Sequence, residues 1–146
     1  KDKMKKILLF LTGVLMLTFA SCVPDENDKM QFHFEYLPVE TVTLPETVQR
    51  GQTYPITVSF NRPTDCHYFD SFYYDINGNT RTVAVQAIVI ENASCDPLTN
   101  VAPEQKSFNF YCSPGYADSE YTFKFYKGVD TQGNDVFEEH TVTVEQ

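Results

Sequence analysis

The stretch Phe72-Tyr73-Tyr74-Asp75-Ile76-Asn77-Gly78-Asn79-Thr80-Arg81-Thr82-Val83-Ala84-Val85-Gln86-Ala87-Ile88-Val89-Ile90 decides the fold. Two runs rich in aromatic and β-branched residues, Phe72–Ile76 and Arg81–Ile90, flank Asn77-Gly78-Asn79. Asn and Gly accept the positive φ that tight hairpin turns need, so the stretch reads as two antiparallel strands and their turn. Working outward, apolar residues keep recurring with period two, the pattern of half-buried strands. Tyr54, Ile56, Val58 and Phe60 alternate with Thr53, Thr57 and Ser59, and Phe108, Phe110 and Cys112 with Ser107, Asn109 and Tyr111. Tyr121, Phe123 and Phe125 alternate with Thr122, Lys124 and Tyr126, and Val142 and Val144 with Thr141, Thr143 and Glu145.

These runs predict seven strands: Val39–Leu44, Thr53–Asn61, His67–Ile76, Arg81–Ile90, Ser107–Cys112, Tyr121–Lys127 and Val136–Val144. A second turn, Asp130 to Asp135 with Gly133 inside it, separates the last two. About seven short strands in a chain of this size predict an all-β, antiparallel, two-sheet sandwich. The segment Asp118-Ser119-Glu120-Tyr121-Thr122-Phe123 resembles the corner before the sixth strand of immunoglobulin-like domains. That resemblance implies an Ig-like sandwich in which the corner Tyr hydroxyl bonds back to upstream backbone. Phe123 stands where antibody domains carry Cys, and the chain has no Trp.

The 146 residues are 42% hydrophobic and 14% aromatic, with nine Tyr and twelve Phe, which is enough for one globular domain. The net charge of −9 excludes nucleic acid as a partner, because phosphate binding needs clustered Lys and Arg. Lys1, Lys3, Lys5 and Lys6 precede an apolar run from Ile7 to Ala20. At ~1.5 Å per helical residue that run is too short for a ~30 Å hydrocarbon core and reads as a signal peptide. Phe19-Ala20-Ser21-Cys22 resembles the lipobox of Bacteroidetes-type lipoproteins, with Phe19 in place of the usual Leu. The resemblance implies cleavage after residue 21, lipid on Cys22, and the outer membrane as the destination. Removing four lysines and one aspartate with the signal leaves a mature net charge of −12. The lipid on Cys22 is then the expected membrane attachment. The acidic residues Asp25, Glu26 and Asp28 resemble a surface-export signal and otherwise face the periplasm as part of a tether. The expected organisation is a signal peptide over 1–21, a lipidated Cys and acidic flexible tether over 22–36, and the sandwich over 37–146.

An exported domain meets oxidising conditions, so the remaining cysteines invite a bridge. Cys66 and Cys95 each lie at a strand-to-loop transition beside an Asp, which favours Cys66–Cys95. Cys112 ends an alternating apolar face and reads as a buried thiol, with its exchange into the bridge as the alternative. No metal or cofactor is expected: there is no C-x₂-C spacing, and His33, His67 and His140 are far apart. The run Asp75-Ile76-Asn77-Gly78-Asn79 begins like a calcium loop, but its Gly falls at the fourth position rather than the sixth, and Gln86 stands at the twelfth. Asp130, Asn134 and Asp135 read as turn residues. The one nucleophile–base pair available is Cys112 with His140, and no catalytic motif accompanies it, so no enzyme is expected.

Recognition remains. Tyr73 and Tyr126 have outward phase on the third and sixth strands, with Phe69 nearby, and such rings make platforms for a protein or glycan ligand. The reading is therefore a lipid-anchored, non-catalytic binding or assembly module. The alternative is a protease inhibitor presenting the loop Asn61-Arg62-Pro63-Thr64-Asp65-Cys66, stiffened by the neighbouring bridge.

Overall fold

A computed structural model describes residues 30–145; the segment 1–21 expected to be a signal peptide, and Cys22, lie outside the described residues. The described chain is all β, with nine strands in two sheets. They are β1 (Phe32–Leu37), β2 (Val39–Thr43), β3 (Thr47–Gln49), β4 (Thr53–Phe60), β5 (His67–Asn77), β6 (Thr80–Ile90), β7 (Glu104–Tyr111), β8 (Glu120–Val129) and β9 (Asp135–Glu145). The seven expected strands are all present. The hairpin closes through Gly78 and Asn79, with Asn77 opposite Thr80. Gly78 has φ +59° while Asn79 stays at negative φ, the pattern of a two-residue II′ turn.

Strands β2, β4 and β7 form one antiparallel sheet, and the other six form the second. Strand β6 is the spine of the larger sheet. Strand β5 pairs with it along its whole length on one edge. Its other edge is shared end to end: Val85–Ile90 pair with β1, and Thr80–Val83 with β8. Strand β9 follows β8, and β3 closes that side.

Three features depart from the expectation. First, the sheet is not wholly antiparallel: β6–β8 and β3–β9 are parallel. Strand β8 can run parallel to β6 because the chain between them crosses to the other sheet as β7 before returning, the long connection that parallel pairing requires. The sandwich architecture of the immunoglobulin resemblance holds, but β6 separates β5 from β8. Second, the supposed tether of residues 22–36 is structured from Phe32 as strand β1. Third, Val48 is fully buried on β3, a three-residue strand that follows Pro45 as the chain switches sheets.

The core lies between the sheets. Ile56, Val58, Phe60 and Phe110 face Leu37, Val83, Val85, Tyr121, Phe123 and Phe125, all buried. Phe110 meets Tyr121 and Phe123 edge-on, with centroids 4.8 and 5.1 Å away. The corner differs in detail from its resemblance. Tyr116 supplies the hydroxyl, donating to the Glu120 carbonyl at 2.7 Å, and it stacks on the buried Tyr121 at 3.9 Å. The Tyr121 ring instead belongs to the same buried cluster as the thiol of Cys112. Cys66 and Cys95 form the disulfide, their Cα atoms 5.5 Å apart.

Candidate functional site: an aromatic outer sheet face

On a strand, side chains at alternate positions share a face, so the register assigns every ring to the core or to solvent. Phe32, Phe34 and Tyr36 lie opposite Ile90, Ile88 and Gln86, the outward residues of β6. Tyr68 pairs with Ile88 and Tyr73 with Ala84 from the other side. Tyr126 and Phe137 continue the same face onto β8 and β9. The rings touch in sequence: Tyr73–Tyr36 at 5.4 Å, Tyr36–Tyr126 at 6.3 Å and Tyr126–Phe137 at 5.9 Å. Phe34 and Tyr68 flank this row, 56% and 51% exposed. Tyr36 is the link. It reaches both Tyr73 and Tyr126 because β1 and β8 meet end to end along one edge of β6.

The structure brings Tyr73 and Tyr126 onto this one face, as outward phase predicts. Phe69 is different. The β5–β6 register slips between Phe69 and Ser71, leaving Asp70 as the extra residue of a bulge. A bulge reverses the alternation, so Phe69 and Phe72, three residues apart, both point inward. Phe69 stacks on Phe60 at 5.9 Å and meets Phe72 at 5.2 Å, with the Lys106 ammonium 5.3 Å from its ring centre. Phe69 is a core-edge residue and leaves the candidate site.

The bulge places a polar cluster amid the rings. The Gln86 amide donates to the Asp70 carboxylate at 2.8 Å, as does the Ser71 hydroxyl, also at 2.8 Å. The opposite outer face of the sandwich has another character. There Thr41 and Ser59 share a hydrogen bond of 2.6 Å, and Thr57 and Ser107 one of 2.8 Å, leaving Tyr111 as a single exposed ring. The Tyr126 phenol is raised above its ordinary range by partial burial first, then by the charges of Asp135 and Glu35. It therefore stays a neutral hydroxyl, able to donate or accept.

Sequence reasoning missed Tyr36, Phe34 and Phe32. The signal was present as period-two alternation over Phe32-His33-Phe34-Glu35-Tyr36-Leu37, but its large apolar residues face solvent and only Leu37 is buried.

The other candidates resolve simply. Cys112 is buried against Tyr121, whereas the His140 ring meets Glu138 at 3.0 Å and Phe125 edge-on. The Asp65, Cys66 and Cys95 cluster has both sulfurs in the disulfide, and its carboxylate accepts from the Asp96 N–H at 2.9 Å. The loop Asn61–Cys66 is tied down. Arg62 contacts Glu104 at 3.3 Å and donates to the His67 carbonyl at 3.0 Å, while the Leu98 N–H donates to the Pro63 carbonyl and the Asp65 N–H to the Asp96 carbonyl. Asp130 caps the β8–β9 turn, accepting from the Gln132 and Asn134 N–H groups at 2.8 and 2.9 Å.

No protein-family model matches this chain, and no curated protein or solved structure is significantly similar to it.

Proposed function

We propose that the protein is a non-catalytic cell-envelope lipoprotein, anchored by lipid on Cys22, whose sandwich recognises a partner through the face built by Tyr36, Tyr73 and Tyr126. One observation carries this reading: a contiguous row of rings on one outer face, exposed at Tyr36 and Tyr73 and half-buried at Tyr126, on a sandwich with its own buried core. Contiguous exposed apolar patches on monomeric domains mark interaction surfaces. The Gln86–Asp70–Ser71 cluster amid the rings favours a polyhydroxylated ligand, which stacks its apolar faces on aromatics and offers hydroxyls to amide and carboxylate groups. A protein partner would use the same rings as anchors.

The test is the triple variant Tyr36→Ser/Tyr73→Ser/Tyr126→Ser, compared with the native chain for binding to a glycan panel and to envelope proteins. We expect the variant to keep its fold and lose at least tenfold in affinity. Unchanged binding would remove the reading. Protease shaving of intact cells decides the location: released peptides from residues 30–145 support surface display, and release only after lysis supports the periplasmic face. For the inhibitor alternative, a panel of cysteine and serine proteases should show no slowing by the chain, since Arg62 is held by Glu104 and His67 rather than presented.

A further inference from the structure

The sandwich is closed on one side, where β2 packs against β8, and open on the other, where β5 and β7 are both edge strands. Phe108 on β7 reaches across that gap to Phe72 at 5.0 Å and Tyr74 at 5.8 Å. Beside this bridge lies a cavity of about 500 Å³, open to solvent and lined by Tyr74, Ile76, Phe108, Tyr111, Tyr116 and Arg81. Its size is that of a small-molecule site.

Arg81 gives the cavity its chemistry. The residue is only 8% exposed, yet among the described residues no carboxylate lies within ion-pair distance of it. Arg62, Lys106, Lys124 and Lys127 each have such a partner. The guanidinium lies over the Tyr121 ring at 4.8 Å and donates through Nη1 to the Gly78 and Thr80 carbonyls at 2.8 and 2.9 Å. These partners are neutral and occupy one nitrogen. A buried cation without a counter-charge is costly, and a carboxylate supplied from outside would offset that cost. The Tyr74 phenol beside it is raised by burial and pulled back in part by the Arg81 charge, so it remains a neutral hydroxyl at the cavity wall.

We propose that this groove binds a small carboxylate with a flat apolar body, the carboxylate on Arg81 and the body between Tyr74, Phe108 and Tyr116. It is separate from the outer aromatic face and does not rest on the function proposed for that face.

The probe pair is 2-naphthoate and its neutral analogue 2-naphthamide, titrated by NMR into the full chain. The expected result is naphthoate binding in the millimolar range or tighter, at least tenfold tighter than naphthamide, with contacts to Phe108 and Tyr116. Arg81→Met should abolish that preference, and the Tyr36→Ser/Tyr73→Ser/Tyr126→Ser variant should leave it intact. Should Arg81→Met fail to fold, Ile76→Trp at the exposed rim narrows the mouth and should weaken naphthoate binding at least fivefold. Equal affinity for the two probes, no naphthoate binding, or contacts on the outer face would each overturn the proposal.

Discussion

Phe69 and Tyr73 lie four residues apart on β5 and behave as opposites, because the single extra residue Asp70 lies between them. Phe69→Ala empties a site framed by Phe60, Phe72 and Lys106 and should cost about 2–4 kcal/mol, as truncation of buried aromatics does. Tyr73→Ser removes an exposed ring and should cost less than about 1 kcal/mol. Urea denaturation of the two variants checks the pair. Cys112 and Tyr111 offer a second comparison. Cys112→Ala empties a fully buried site and should cost about 1–2 kcal/mol, whereas Tyr111→Ala trims an exposed ring next to it and should cost less. In the native chain this thiol should react with a disulfide reagent only on unfolding, since it is fully buried. The tyrosines also set an alkaline limit. Burial first, with the Asp118 charge second, pushes the Tyr116 phenol up to about 12; burial and the Cys112 contact raise Tyr121 further. In the unfolded chain both ionise near pH ~10, so the folded state holds protons that the unfolded state has released. Their contribution to stability is intact below pH ~10 and is lost as pH rises from there through about 12. Phenolate absorbance should accordingly keep an un-ionised component above pH ~11 that disappears together with the fold.

At the scale of the element, what the chain encodes locally is what the sequence reveals. Strands whose alternation points apolar residues inward, such as Tyr54–Phe60 and Tyr121–Phe125, are legible because one face is uniformly apolar and the other polar. The β5–β6 hairpin is legible because Gly78 must take positive φ. Strand β1 hides because its rings face solvent beside an acidic run, and β3 hides because three residues hold too little pattern. The bulge at Asp70 and the parallel pairing of β6 with β8 are set by distant partners, and no local signal announces either. The same limit hid most of the candidate site. Tyr73 and Tyr126 carried outward phase, but Tyr36, which joins them, belongs to the strand that pattern missed. The β8–β9 turn supplies a test at this scale. Hydrogen bonds from the backbone and side chain of Asn134, and from the Gln132 N–H, hold the Asp130 carboxyl below its ordinary range. Its contribution is therefore present above pH ~4 and is lost as pH falls through the lowered value. Asp130→Ala should lower the thermal midpoint at neutral pH, and the difference from the native chain should shrink as the solution is acidified.

For the whole molecule, two devices complete what the core begins. The Cys66–Cys95 disulfide closes a loop of sequence separation 29 and ties the β4–β5 connection to the segment after β6. In the chain-entropy model such a closure stabilises by about 3–4 kcal/mol. Reduction, or the Cys66→Ala/Cys95→Ala variant, should lower the denaturation midpoint correspondingly without unfolding the domain at 25 °C. Arg50 clasps the end of the sandwich, donating to the carbonyls of Tyr116, Asp118 and Glu145. The interior is held in this way without the rings of the outer face, and the recognition proposed for those rings is open to direct test. A photo-crosslinking residue placed at Tyr73, or at Gln105 on the opposite face, tests it most directly in the cells that make the protein. Both positions are exposed on strands, so they differ in the face they occupy. Adducts from position 73 with few from position 105 are the predicted result. Equal labelling from the two faces, or none from position 73, would contradict it.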